Sequence, residues 1–323
     1  MTKIPQLSFD QVVDRLRQAP APSRQGYLCM YSTWLGGIVK DPNLMMVPVD
    51  DHLVHRGDGV FEAIKSTPHG IYALEPHLDR LFVSADKIGL KIPHSRKEMS
   101  EICVETVKAS GSKDVLLRLY VSRGPGGFTT NPYECIASQM YLVITPFKPY
   151  PAAKYESGVT AKISRIAVKE GFFANVKSCN YLPNVLMKKE SVDAGVDYTV
   201  SVDEKGNLAE GSTENFGIVS AEGELLIPNF DRILKGITAT RAMQLAEKLV
   251  ASDRVRAVKN AHITREAAMK AKEAFFLGTT LDCLPVTTFE GKPVADGKVG
   301  PVCKELLALI REDMRSGPYV THV

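Results

Sequence analysis

The chain has 323 residues, 44% of them hydrophobic and 24% charged, with a formal net charge of +3 at pH 7. That composition describes a globular chain able to bury an ordinary core, and its interspersed acids and bases give no electrostatic case for nucleic acid or an anionic membrane. No apolar run approaches a membrane span, the first residues lack a signal-peptide core, and the six cysteines form no C-x-x-C pair, so no metal site or disulfide framework is signalled and a reducing, cytoplasmic location is expected.

Residues 8–18 read as a short amphipathic helix, with Ser8 as cap, Gln11 completing a capping box, and Phe9, Val12, Val13 and Leu16 on one stripe. The Pro- and Ala-rich residues 19–23 break it, so the first 25 residues read as an extension. Strands are expected over 28–32, 36–39 and 45–49, and the Gly57-Asp58-Gly59 turn leads into another at 60–66. A helix over 74–90 puts Leu78, Leu81, Phe82, Ala85 and Ile88 inward and leaves Arg80 off the centre of that stripe, where pattern alone gives it a surface ion pair with Asp79 or Asp86. A second helix, 95–110, stops at Gly111. Residues 115–122 alternate cleanly, with Leu116, Arg118, Tyr120 and Ser122 sharing one face, and a mid-strand arginine there is often simply solvated. A Gly- and Pro-rich loop follows at 123–132, then a buried strand at 139–145 and a proline-rich linker.

Beyond the linker come a strand at 159–164 and the stretch holding Lys177. Asn180 can cap the helix that opens there, Pro183 can occupy its first turn, and Val185, Leu186 and Val192 can form its inward stripe before Gly195 stops it. Lys177 lies just outside this helix start with no carboxylate beside it in sequence; an amine desolvated there loses its proton more easily and can attack a carbonyl. A hairpin over 197–208 returns into Glu210, which pattern alone leaves as an edge carboxylate in water. Gly236 permits a tight turn and Thr238 can cap the next helix, whose exposed N–H groups would favour an anion. Residues 275–281 form a strand ending in a Gly-Thr-Thr turn, and a last helix covers 302–314.

Taken in order, Arg80, Lys177 with Asn180 and Tyr181, the Glu210-Gly211-Ser212 segment with Asn215, and the Gly236-Ile237-Thr238 turn resemble the class IV aminotransferases, the fold-type IV pyridoxal-phosphate (PLP) enzymes. The resemblance covers about residues 27–315. It implies a two-domain α/β architecture (α+β-like): an N-terminal extension at 1–25, a smaller α/β domain at 26–146, a linker at 147–154, and a larger β-barrel-like domain with helices at 155–323. It implies PLP carried on Lys177 as a Schiff base, with Lys177 moving the α-proton. Glu210 would face the ring nitrogen, Tyr181 the phenolic oxygen and Leu234 the ring face. Arg80, Gly236, Ile237, Thr238 and Thr279 would hold the phosphate. Substrate contacts are expected from Phe61, Arg118, Thr279 and Thr280. Arg56 is a further expectation, because Phe61 lacks the hydroxyl that holds the substrate carboxylate in some relatives and a guanidinium can grip a carboxylate bidentately. The activity expected is exchange of an amino group between an amino acid, D-amino acids first, and a 2-keto acid. The alternatives are L-branched-chain transamination and elimination of pyruvate from aminodeoxychorismate. A homodimer is expected, with a loop of the second subunit completing each pocket, and neither nucleic acid nor membrane is a partner.

Overall fold

In the computed structural model, which describes residues 2–19 and 22–323, the chain begins with α1 (Phe9–Leu16). Ser8 and Gln11 exchange the two bonds of a capping box, at 3.3 and 2.9 Å. No residue of α1 is buried, so its apolar stripe meets no core.

There follow β1 (Cys29–Ser32), β2 (Gly37–Val39), α2 (His52–Arg56), β3 (Gly59–Thr67), β4 (Gly70–Tyr72), α3 (Leu74–Lys87), α4 (Arg96–Ser110), β5 (Val115–Ser122) and β6 (Gln139–Pro146). The second half runs through α5 (Ala152–Ser157), β7 (Val159–Ile163), α6 (Gly171–Ala174), α7 (Leu182–Asp193), β8 (Tyr198–Val200), β9 (Asn207–Leu208), β10 (Asn215–Val219) and β11 (Leu225–Pro228). It closes with α8 (Ile237–Ala251), β12 (Val258–Ala261), β13 (Ile263–Thr264), α9 (Arg265–Met269), β14 (Glu273–Gly278), β15 (Asp282–Phe289), β16 (Lys292–Pro293), α10 (Pro301–Ser316) and β17 (Val320–Thr321).

A seven-stranded antiparallel sheet has the order β17-β4-β3-β5-β6-β1-β2. Helices α3 and α4 cover it through Leu74, Leu78, Leu81, Met99, Cys103 and Val107. An eight-stranded mixed sheet follows the path β12-β11-β10-β14-β15-β7-β8, with β16 beside β15. The bridge between Val202 and Leu208 and the β9–β13 pair link its two ends, giving the barrel-like form. Phe216, Ile218, Phe276, Leu284 and Phe289 fill one face of this sheet, and α8 and α10 pack on Leu225, Ile227, Phe275 and Cys283 at the other.

Three expectations fail here for physical reasons. Residues 45–49 form no strand, because Pro48 has no N–H for a ladder and the segment leaves a 3₁₀ turn (Pro42–Leu44) capped by Asp41. The stripe expected to point inward from α7 points outward: Val185, Leu186 and Val192 are exposed, while Asn184, Met187, Glu190 and Ser191 are buried. The polar residues can be buried because they have partners elsewhere: Ser164 donates to Glu190 at 2.6 Å, and Asn184 donates to the Ser212 carbonyl at 2.6 Å. The cap expected from Asn180 is also absent, since Tyr181 occupies the N-cap without a side-chain bond. The last strand, β17, crosses back to pair with β4, and α5 starts at Ala152, ahead of the second sheet.

Candidate active site

The segment carrying Lys177 is stitched to the edge of the first sheet. The Phe61 N–H donates to the Lys177 carbonyl at 3.0 Å, the Cys179 N–H to the Gly59 carbonyl at 2.8 Å, and the Lys177 N–H to Ser84 Oγ at 3.2 Å. Gly57 supports the same junction: it sits at φ 65° and a Cβ there would come within 3.3 Å of the Asn180 backbone. These bonds aim Lys177 into a cavity of about 470 Å³ between the two sheets, a size suited to a small cofactor with substrate. Its Nζ lies 4.6 Å from the Phe61 ring centroid and 5.9 Å from that of Tyr181. Burial, reinforced by the Arg80 charge, pulls the amine down to about 8.

Glu210 lines the same cavity from the second sheet, held by the bridge to Asn215 and by the Leu234 N–H, which donates to Oε2 at 3.2 Å. Burial pushes its carboxyl up to about 7 against that bond and the nearby Lys169 and Lys177 charges. The cavity thus opposes an amine ready to lose its proton with a carboxyl ready to share one.

At the far end, α8 starts at Ile237 on a Gly236 N-cap with no side-chain cap. The first N–H groups of a helix have no intrahelical partner and sit at the positive end of the dipole, so this end favours an anion. Gly236 leaves room for the Asn215 side chain, because a Cβ would lie 1.9 Å from its Oδ1. Thr238 is buried in the first turn instead of serving as the cap. Leu234, Thr279 and Thr280 complete this end.

Arg80 also lines the cavity, but neither Asp79 nor Asp86 is its partner. It forks onto Glu62 of β3 at 2.8 and 2.7 Å and donates to the Lys235 carbonyl at 3.0 Å, while Asp79 pairs with Arg96. His77, one turn earlier on α3, meets Glu62 Oε2 at 2.7 Å. Burial alone would raise the Glu62 carboxyl, but the Arg80 and His77 charges and bonds outweigh it and hold it at about 2. Burial is also the largest influence on His77 and lowers its pKa, against the pull of Glu62.

Of the expected substrate residues, Phe61, Arg118, Thr279 and Thr280 line the cavity and Arg56 does not. Arg56 is exposed, and its donors go to the carbonyls of Thr129 (3.2 Å), Phe128 (2.7 Å) and His55 (2.9 Å), so it braces the 123–132 loop. Sequence reading missed Glu62, His77, Lys169 and Asn184. Glu62 had a visible signal: it falls on the same strand face as Val60, Ile64 and Ser66, all buried, where a carboxylate demands a cation. Asn184 presents a buried Oδ1 without a partner in the cavity wall, and Lys169 lies 5.0 Å from the Tyr181 ring.

A Lys–carboxyl pair across a cavity with an anion cradle at one end suits pyridoxal 5′-phosphate: a phosphate for the cradle, a ring nitrogen for Glu210 and an aldehyde for Lys177. The family model for class IV aminotransferases matches residues 59–289, and the chain belongs to that family. It is a PLP-dependent aminotransferase acting between amino acids and keto acids. Among its relatives, the chain is 39% identical to the chloroplastic D-amino-acid transaminase of Arabidopsis thaliana, over 98% of this chain and 83% of the relative. It is 31% identical to a putative branched-chain-amino-acid aminotransferase of Methanocaldococcus jannaschii, over 84% of this chain and 93% of that one. The T.th. branched-chain amino acid aminotransferase, solved with pyridoxamine 5′-phosphate, superposes with a TM-score of 0.85 at 26% identity, covering 92% of this chain and 98% of that one.

Proposed function

We propose that the enzyme transfers the amino group of D-amino acids to 2-keto acids, with Lys177 as the catalytic amine. The observation that carries the chemistry is the opposition of Lys177, at about 8, and Glu210, at about 7, across one cavity. The preference for D-amino acids rests on the 39% likeness to the Arabidopsis D-amino-acid transaminase over nearly the whole chain. When bound, PLP supplies a carbonyl that condenses with amines and a ring that takes up the electron pair left when an α-proton departs.

The protein's own residues divide the remaining work. Gly236, Ile237 and Thr238 would hold the phosphate through helix-start N–H groups, with Arg80 and Thr279 beside them. Leu234 would pack on the ring face and Tyr181 would donate to the phenolic oxygen. Glu210 keeps a proton at the ring nitrogen. Lys177 Nζ, neutral near pH 8, takes the α-proton from the amino acid and returns it on the other side of the exchange. Arg118 and the Thr279–Thr280 turn receive the substrate carboxylate, between apolar walls that include Phe61 and Leu116.

Those apolar walls and the 31% likeness to a branched-chain enzyme favour L-branched-chain transamination as the second reading. Titrating the PLP-loaded protein with D-alanine and, separately, with L-leucine separates the two. Bleaching of the visible band by D-alanine alone supports the proposal, and bleaching by L-leucine alone replaces it. Lys177→Ala should abolish turnover, and normal activity in that variant would refute the assignment.

A homodimer and a cytoplasmic location belong to the same proposal. Phe172, Phe173, Leu182, Val185, Leu186 and Val192 leave an exposed apolar face on α6 and α7 that a second copy would cover. The location rests on the six cysteines, all free; among the described residues no helix is long and apolar enough to cross a membrane. Light scattering of the purified protein checks the dimer.

A further inference from the structure

Strand β3 touches the site twice. Phe61 and Ala63 face the cavity, and by the two-residue period Lys65 lies on the same face, farther along the strand. Lys65 is 4% exposed, a rare state for a lysine, and its ammonium bonds the Asp282 carboxylate, itself 6% exposed. This pair joins the first sheet to the second at one point: Asp282 is the first residue after the Thr279–Thr280 turn. The register pairs Gly278 with Asp282, so the turn consists of residues 279–281, and Asp282 sits at φ 58°, a conformation costly for a residue with a side chain.

Other contacts converge on the same end of the turn. Tyr155 of α5 donates its hydroxyl to the Leu281 carbonyl at 2.9 Å. Arg311 of α10 approaches the second Asp282 oxygen at 3.6 Å and stacks on the Tyr155 ring at 4.7 Å. Phe147, in the segment joining the two sheets, places its ring 5.0 Å from the Lys65 ammonium. Two consecutive residues, Leu281 and Asp282, are therefore gripped from three separate parts of the chain, β3, α5 and α10. The turn they end presents Thr279 and Thr280 to the cavity, and among the described residues neither threonine side chain has a hydrogen-bond partner.

We infer that Lys65 is a positioning residue for the reaction: through Asp282 it holds the Thr279–Thr280 turn at the height at which that turn receives the substrate carboxylate. Lys65 touches neither substrate nor cofactor. Its effect is geometric and specific for the anion, because the turn supplies hydrogen-bond donors and a displaced donor weakens an anion more than a neutral group of the same shape. The inference rests on the reading, given above, that this turn binds the carboxylate.

The test compares each amino acid with its own carboxamide. The PLP-loaded enzyme is titrated with whichever of D-alanine and L-leucine shifts its visible band, and with D-alaninamide or L-leucinamide to match. The ratio of the two dissociation constants reads the preference for the carboxylate, whereas a general loosening of the fold moves both constants together. Lys65→Met should lower that preference about tenfold and Lys65→Arg should restore most of it. Tyr155→Phe, which removes one neutral bond, should produce a smaller loss in the same direction and carries the test if Lys65→Met does not fold. Thr280→Ala is the reference. If Thr280→Ala loses the preference while Lys65→Met and Tyr155→Phe keep it, the positioning role is overturned and the carboxylate site stands. If Thr280→Ala keeps the preference, the reading of the turn itself falls, and the inference falls with it.

Discussion

The Glu62–Arg80–His77 cluster yields the most quantitative prediction. Glu62 is fully buried and held at about 2, against an ordinary 4.5. At about 1.36 kcal/mol per pH unit, that difference corresponds to on the order of 3 kcal/mol of stability. The sign follows from the direction: a carboxyl depressed in the folded state stabilises above its unfolded value of 4.5, and the contribution is lost as pH falls through about 2. Glu62→Gln keeps the volume but leaves the Arg80 guanidinium with a neutral amide, which at pH 7 should cost about 3 kcal/mol, in line with breaking a buried ion pair. Urea unfolding of the PLP-free proteins at pH 7, 4.5 and 3 measures it. The gap between wild type and variant should be full at pH 7, begin to close below 4.5 and be substantially smaller at 3. A variant within about 1 kcal/mol of wild type at pH 7, or a gap that does not change between pH 7 and pH 3, would refute the reasoning.

The remaining predictions concern the cavity. Glu210→Gln should lower kcat by on the order of 100-fold while the protein still binds PLP, because the amide cannot keep a proton at the ring nitrogen; stopped-flow half-reactions read this directly. Capture of PLP by the PLP-free protein should speed up as pH rises through about 8, where Lys177 becomes a free amine, and a rate that is flat from pH 6.5 to 9 would contradict the lowered amine. Gly236→Ala should weaken PLP binding roughly tenfold, since a Cβ 1.9 Å from Asn215 Oδ1 must displace that side chain, whose Nδ2 donates to the Leu234 carbonyl near the start of α8; equilibrium dialysis measures it.

What the sequence showed was local, and what it hid was contact between distant segments. The Ser8–Gln11 capping box spans three residues and forms as written. The alternation of residues 115–122 marks β5 at both ends, because Val115, Leu117, Leu119 and Val121 are buried on one face while Arg118 and Tyr120 open toward the cavity on the other. Lys177, Glu210 and the Gly236 turn were reached through the order of their motifs, and all three line one cavity. Arg80 was placed at the cavity, but its true partner, Glu62, lies on another element and could not be read from the helix pattern around Asp79 and Asp86. Arg56 was misplaced because the carbonyls that capture it belong to a loop more than seventy residues away. Hydrophobicity does not mark the inner face of α7, because Ser164 and the Ser212 carbonyl, remote in sequence, satisfy the polar residues buried there.

The same cluster explains how the proposed site would meet two opposed needs. An amine that must attack a carbonyl should be neutral, and a cradle that must hold a phosphate should be positive. Placing Arg80 near Lys177 serves both, because one positive charge disfavours a second on the lysine and attracts the anion. An unpartnered guanidinium in this wall would be costly, and it would be free to swing toward the solvent side. Glu62, behind the wall and closed to the cavity, removes that freedom with two parallel bonds. It also pulls the lysine back toward the protonated form, so the amine rests near 8 as a balance of burial and Arg80 against Glu62 and Glu210. Removing the Glu62 charge therefore has a consequence beyond stability: if Arg80 stays in place, the Lys177 amine should become easier to deprotonate, and the pH dependence of PLP capture should move to lower pH. If Arg80 leaves instead, the lysine loses a positive neighbour as well, the two effects offset, and the curve stays near 8 while phosphate binding fails.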